Sequence, residues 1–223
     1  MGSFLFLFAC ISSGLQIPGS TKHLGKPIDF EPIPIPVSYS EEENDEENDE
    51  DSRFWKRGGG KAVAEAAEKL LGAKTLKVDN KNYRYDCSGF VMAAHAKADV
   101  YIDGSTKMLY EQSKEARVFH RRKKPFIGDV VFFDNSYDRN KNGKRDDKLT
   151  HIAIVEKVES DGTLTLVHLG SKGVVRTMMN LYNPDLHKDQ NGKEMNSFLR
   201  ASKTAPNLTG ELWVGFASLW KLK

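Results

Sequence analysis

Asp86-Cys87-Ser88-Gly89-Phe90-Val91-Met92-Ala93-Ala94-His95-Ala96-Lys97 is the stretch on which the fold turns. Phe90, Val91 and Ala94 recur on one helical face, and Asp86 stands where an N-cap belongs. The spacing predicts a helix over 87–97 that begins at the cysteine. A cysteine in a first helical turn meets the positive end of the peptide dipoles and unbonded backbone N–H groups, which favour its thiolate. Ser88-Gly89 behind it leaves room for the backbone of a bound substrate. The competing reading of Cys87 is a small buried hydrophobe, the usual role of a free cysteine.

Upstream, residues 61–71 alternate Ala, Val and Leu around Glu65, Glu68 and Lys69, and Gly72 follows as a stop, which predicts a second amphipathic helix. Downstream, 106–116 reads as a third, more polar one. After Pro125 the pattern changes. Residues 129–133, 151–158, 163–169, 174–178 and 213–219 are β-rich runs broken by Gly, Asn and Asp, with Asp161-Gly162 as a hairpin turn between two of them. Helices followed by strands predict an α+β fold with a mostly antiparallel sheet.

Two of the six histidines fall on that sheet. His151 opens one strand and His168 closes the next, and a ladder turned at Asp161-Gly162 sets His168 opposite Val155, on the face His151 uses. Such a ladder leaves the two four residues apart, about 13 Å by strand rise, so a bulge or strong coiling has to close the gap if they act together. His95, His120 and His187, in polar or basic surroundings, read as solvated, and His23 precedes the domain.

The 223 residues carry a net charge of +2 that hides an asymmetry. Residues 1–52 hold Lys22 and Lys26 against eleven acids, a net of −9, so the remainder carries +11. Residues 4–11 form a short apolar run, and Leu7-Phe8-Ala9-Cys10 resembles the lipobox of exported lipoproteins; 1–14 is expected to be a leader, with Cys10 a candidate for lipid attachment. The prolines of 27–36 and the nine carboxylates of 41–51 bar a packed core, so 15–53 is expected to be a spacer and 54–223 the folded domain. No run of about 18 apolar residues predicts a membrane-spanning helix, and two cysteines cannot build a disulfide framework or a four-thiolate zinc site.

Two loops carry further signals. Asp138, Asn140, Asn142 and Asp146, with the Lys144 carbonyl, match the early positions of a calcium loop around Gly143. Leu149 stands where its final carboxylate belongs, so Asp134 or Asp147 would have to replace it. The competing reading is a polar turn. His120-Arg121-Arg122-Lys123-Lys124 comes with no nucleic-acid motif, and external anionic polymers or the chain's own acidic run are the more economical partners.

Asp86-Cys87-Ser88-Gly89-Phe90-Val91, Gly128-Asp129-Val130-Val131-Phe132-Phe133, Thr150-His151-Ile152-Ala153-Ile154-Val155 and His168 occur in the order seen in NlpC-type cysteine peptidases, which they resemble over roughly 60–185. The resemblance implies a papain-like α+β fold and a bacterial cell-wall hydrolase that cuts the D-glutamyl–diaminopimelate bond of peptidoglycan stem peptides. Cys87 then looks like the nucleophile, His151 the base and His168 the group that orients it, with Asp86 and Ser88 supporting the oxyanion end. No cofactor is required for that chemistry, and structural calcium is the one addition considered. Where the family carries an aromatic substrate reader before the cysteine, this chain has Thr75-Leu76-Lys77-Val78-Asp79, so Tyr83 and Tyr85 are the substitutes expected to bind substrate. A muramoyl-L-alanine amidase, an acyltransferase and a catalytically silent wall-binding module are the alternatives. The expected setting is an exported monomer at the cell envelope, partnered by peptidoglycan peptides and no specific nucleic acid.

Overall fold

The computed structural model describes residues 58–202 and 204–222. The leader with Cys10, the spacer and the expected domain start at residue 54 lie outside them. Helix α1 (Gly59–Lys69) is followed by a small hairpin, β1 (Leu76–Val78) and β2 (Lys81–Tyr83), then by α2 (Cys87–Ala96) and α3 (Thr106–Glu115). Strands β3 (Phe119–His120), β4 (Val130–Phe133), β5 (His151–Val158), β6 (Thr163–Gly170), β7 (Gly173–Asn180) and β8 (Trp213–Ala217) form one sheet in the order β3-β8-β4-β5-β6-β7. Every pairing in it is antiparallel. The fold is α+β with helices on an antiparallel sheet, as the order of patterns predicts. The hairpin β1–β2 and the two-residue β3 are too short to show a period in sequence.

Both faces of the sheet are covered, which is why β4 and most of β5 read as continuous apolar runs rather than alternating ones. Val130, Phe132, Ile152, Ile154, Val167 and Val174 face the helices and pack with Val63 and Ala67 of α1 and Phe90 and Val91 of α2. On the other face, Val131, Phe133, Ala153, Val155, Leu164 and Leu166 meet Leu181 and Leu212 from the long segment between β7 and β8. Helix α1 begins hard against the loop before β4: a Cβ added at Gly60 would lie 2.2 Å from the Ile127 carbonyl oxygen, so only glycine fits there.

Three histidines expected to be solvated are not. His95 is fully buried in α2, its Nδ1 hydrogen-bonded to the Val91 carbonyl oxygen at 2.9 Å. His120 lies 2.9 Å from the carboxylate of Asp129, which is itself fully buried and also accepts from the Phe126 N–H, the Ser218 hydroxyl and the Trp220 indole. His187 Nδ1 bonds the Asn196 carbonyl. For His95 the partner lies one turn back on its own helix and burial comes from the sheet it packs on, whereas for His120 and His187 the partner comes from a segment nine residues away.

The hairpin between β5 and β6 also departs from the expected register. The turn spans three residues between Glu159 and Thr163, with Gly162 at a left-handed φ of 82°. A bulge at Glu156 then shifts the ladder once more, so Val155 pairs with Leu166 and Ile154 with Val167. Each step moves β6 by one rung. Together they bring His168 opposite Ala153 instead of Val155. Glu156 is held by Arg176 of β7 through Nε and Nη2 at 2.7 and 2.6 Å, and Arg176 also reaches Glu68 of α1 at 2.8 Å.

Candidate active site

Cys87 is the first residue of α2, and the loop in front of it is locked by side chains. Asp86 Oδ1 accepts from the Gly89 N–H at 2.7 Å and from the Ser88 hydroxyl at 2.9 Å. Arg84 in turn donates to Ser88 Oγ at 3.1 Å. Gly89 has a different use from the one expected of it. Its missing side chain accommodates the chain's own Arg84 carbonyl oxygen, which a Cβ would approach to 1.9 Å, rather than a substrate backbone. Asp86 and Ser88 therefore fix the start of the helix, and with it the thiol.

The thiol is half-buried, 3.8 Å from the hydroxyl of buried Thr106 at the start of α3. Burial pushes the Cys87 pKa above its ordinary 9.0 and the Asp86 carboxylate adds to the rise; hydrogen bonds from Thr106 and from the backbone N–H groups of Ile152 and Ser88 oppose it. Desolvation is the largest influence on the thiol, ahead of the hydrogen bonds that favour its thiolate. The Ile152 N–H is informative for another reason: Ile152 directly follows His151 at the opening of β5.

His151 Nε2 lies 2.7 Å from His168 Nδ1, with the rings edge to face at 4.9 Å between centroids. The two-rung shift described above closes what a straight ladder leaves open. A pair offset by two residues spans about 7 Å of strand rise, which two imidazole side chains can bridge. Gly170 makes space for the second ring, since a Cβ there would stand 2.9 Å from His168 Cε1. Burial pushes the His151 pKa down to about 3, with the neighbouring His168 adding to it, and burial lowers His168 to about 4. Both imidazoles are neutral at pH 7. If His151 is to receive a proton at Nδ1, its Nε2 carries the hydrogen and donates to His168 Nδ1.

The remaining expected site residues have partners of their own. Tyr85 is exposed, but its hydroxyl is spent on the Ala73 carbonyl oxygen at 2.7 Å. Tyr83 has Lys81 over its ring at 5.0 Å. In the 138–146 loop, Asp138 accepts from the Asn142 and Gly143 N–H groups, Asn140 Oδ1 from the Asn142 N–H, and Asn142 Oδ1 from the Lys144 N–H. Asn140 and Asn142 donate to Asp146. Asp134 holds the Leu149 N–H and Lys148, and Asp147 the Arg139 N–H, so both candidate replacements for the missing carboxylate are engaged. Among the described residues no cluster of three or more His, Cys, Asp or Glu side chains is arranged to hold a metal. Thr106 is the site residue that sequence reading missed; its local signal, a residue just after the N-cap Ser105, announces a helix and not a contact with Cys87.

Residues 78–169 match the CHAP domain, a cysteine- and histidine-dependent amidohydrolase/peptidase, and the matched stretch contains Cys87, His151 and His168. No curated protein matches the chain. Among solved structures, it is similar to a Staphylococcus aureus protein described as similar to a lipoprotein of the NLP/P60 family. The identity is 20%, the match covers 52% of this chain and 35% of that one, and the TM-score is 0.34.

Proposed function

We propose that this chain is a cysteine-dependent amidohydrolase/peptidase of the cell-wall NlpC/CHAP type and that it hydrolyses an amide bond of peptidoglycan stem peptides with Cys87, His151 and His168. The observation that carries this assignment is the His151–His168 hydrogen bond of 2.7 Å at the strand opening whose Ile152 N–H reaches the Cys87 thiol. Because both thiol and imidazole rest neutral, the thiol proton passes to His151 as the sulfur–carbon bond forms. His168 accepts the Nε2–H of the resulting imidazolium and steadies it. The proton then goes to the departing amine, and water releases the acyl group from sulfur. Backbone N–H groups at the start of α2 are the candidates for stabilising the oxyanion.

The bond we assign is D-glutamyl–diaminopimelate. The engagement of the Tyr85 hydroxyl with Ala73 leaves the reading of a free substrate amine to other groups, which favours keeping the muramoyl-L-alanine bond as a second reading on the same thiol. Mass analysis of peptidoglycan fragments after incubation distinguishes them: new amino termini on diaminopimelate support the first, free L-alanine termini the second. No release of either kind, with Cys87 inert to alkylation at every pH, supports a silent wall-binding module instead. Export, with Cys10 as lipid acceptor, belongs to the same proposal, and fractionation finding native protein wholly in the cytosol would sink that part.

Calcium has a place here only as a structural ion. The oxygens of Asp138, Asn140, Asn142 and Asp146 have the right spacing, but the ligand set is weak, so the dissociation constant should fall near 0.1–1 mM, as a rough range. At 10 mM calcium this raises the melting temperature by about 3–11 °C over chelator. Superimposable melting curves would make 138–146 an ordinary polar loop.

A further inference from the structure

We propose that the basic run Arg121-Arg122-Lys123-Lys124 is a docking surface for the acidic residues 46–51 of the same chain. The surface lies away from the catalytic groups. His151 opens β5, whereas the groove beside Lys124 is lined by Phe126, Ile127 and Val158 at the other end of that strand, about 24 Å away by strand rise. Four adjacent cations repel one another, and among the described residues none of them is within ion-pair distance of a carboxylate. Two are held in place by rings: Arg122 stands 5.6 Å from the centre of Phe126, and Lys123 5.3 Å from that of Tyr182. Cations ordered in this way lose little further freedom when an anion arrives.

The path of the chain selects the occupant. Gly58, Gly60 and Lys61 line the same groove as Lys124, Phe126 and Ile127, and Gly60 is pressed against the Ile127 carbonyl. The chain therefore enters the described domain beside the basic run. Residues 46–51 (Glu-Glu-Asn-Asp-Glu-Asp) carry five carboxylates and precede Gly58 by seven to twelve positions, a reach of about 25–43 Å at full extension. A tether that short gives an effective concentration in the millimolar range, so the linked anion competes well against polyanions in solution. The contact is electrostatic and exposed, and it weakens as salt shortens the screening length from about 8 Å at 0.15 M to about 3 Å at 1 M.

Carbodiimide cross-linking of the full chain tests this directly. At low salt, mass mapping should find intramolecular cross-links from Lys123 or Lys124 to residues 46–51, with their yield falling at least tenfold in 1 M salt. Arg121→Gln with Arg122→Gln, which leaves the reactive lysines in place, should lower the yield several-fold. Retention on a heparin resin supplies the second measurement. Neutralising the five carboxylates as Gln or Asn should raise the salt needed for elution, and that gain should vanish when residues 121–124 are all Gln. Absent or purely intermolecular cross-links overturn the proposal, the latter by assigning the surface to a second chain. So does an elution gain that is the same with and without the basic run, which would leave the surface to external polyanions.

Discussion

In the proposed scheme the proton on His151 Nε2 fixes what each member of the site can do. With that hydrogen donated to His168, Nδ1 is the only imidazole atom left to take the thiol proton, so His151→Ala and Cys87→Ala should each lower hydrolysis by at least about 10²–10⁴-fold. His168→Ala should retain weak activity, because it removes orientation and not the base; turnover by Cys87→Ala equal to wild type on every wall substrate would refute the scheme. Thr106 bears on the nucleophile separately. Thr106→Val deletes the hydroxyl 3.8 Å from Sγ while keeping the shape, and a hydrogen bond of roughly 1 kcal/mol corresponds to about fivefold slower alkylation of Cys87 at fixed pH. Thr106→Ser should restore the rate, and iodoacetamide kinetics across pH 7–10 read both. Cys87, His151 and His168 were legible as residue types at helix and strand ends. The thiol's raised pKa was not, since it depends on how much protein closes over Sγ.

At the scale of elements, strand and helix positions follow from sequence period, and β5 matches its expected span at both ends. What a period cannot carry is the one-residue insertion. The bulge at Glu156 and the three-residue turn leave no mark on the buried runs on either side, yet they set which rung His168 occupies. Glu156 is buried at the bulge and Arg176 is its bidentate partner. Arg176→Ala leaves a buried carboxylate with no counter-charge. With the arginine side chain 42% exposed, the cost falls below that of a fully buried pair, to about 2 kcal/mol. Melting should drop by roughly 4–8 °C, and hydrolysis should fall further than alkylation of Cys87, because the histidine pair loosens while the thiol's own helix does not. Equal losses in both assays would mean that the bulge has no part in setting the pair.

Across the whole molecule, three buried imidazoles make stability a function of acid. His95, His151 and His168 are held at about 4, 3 and 4 by burial, whereas an unfolded imidazole titrates near 6.5. Between those values the unfolded chain binds protons that the folded chain refuses, so stability rises with pH there, is whole above about 6.5 and drains as pH falls toward 4. His95, with Val91 as its one bonded partner, contributes about 2–3 kcal/mol of that loss at pH 4.5. Urea unfolding at pH 7 and pH 4.5 measures it; His95→Gln should flatten part of the slope, and a midpoint that is constant over this range would refute the burial of the imidazoles.

The strand order carries a consequence in time. β8 is the last strand in the sequence, yet it lies between β3 and β4, and Ser218 and Trp220 just beyond it close on the buried Asp129. Until residues 213–220 have been made, β4 has a bare edge on that side and the Asp129 carboxylate lacks two of its partners. The sheet cannot close progressively as the chain lengthens, because its centre waits for its final strand, and pairings so far apart in sequence form slowly. A nascent chain of this design stays open through most of its synthesis.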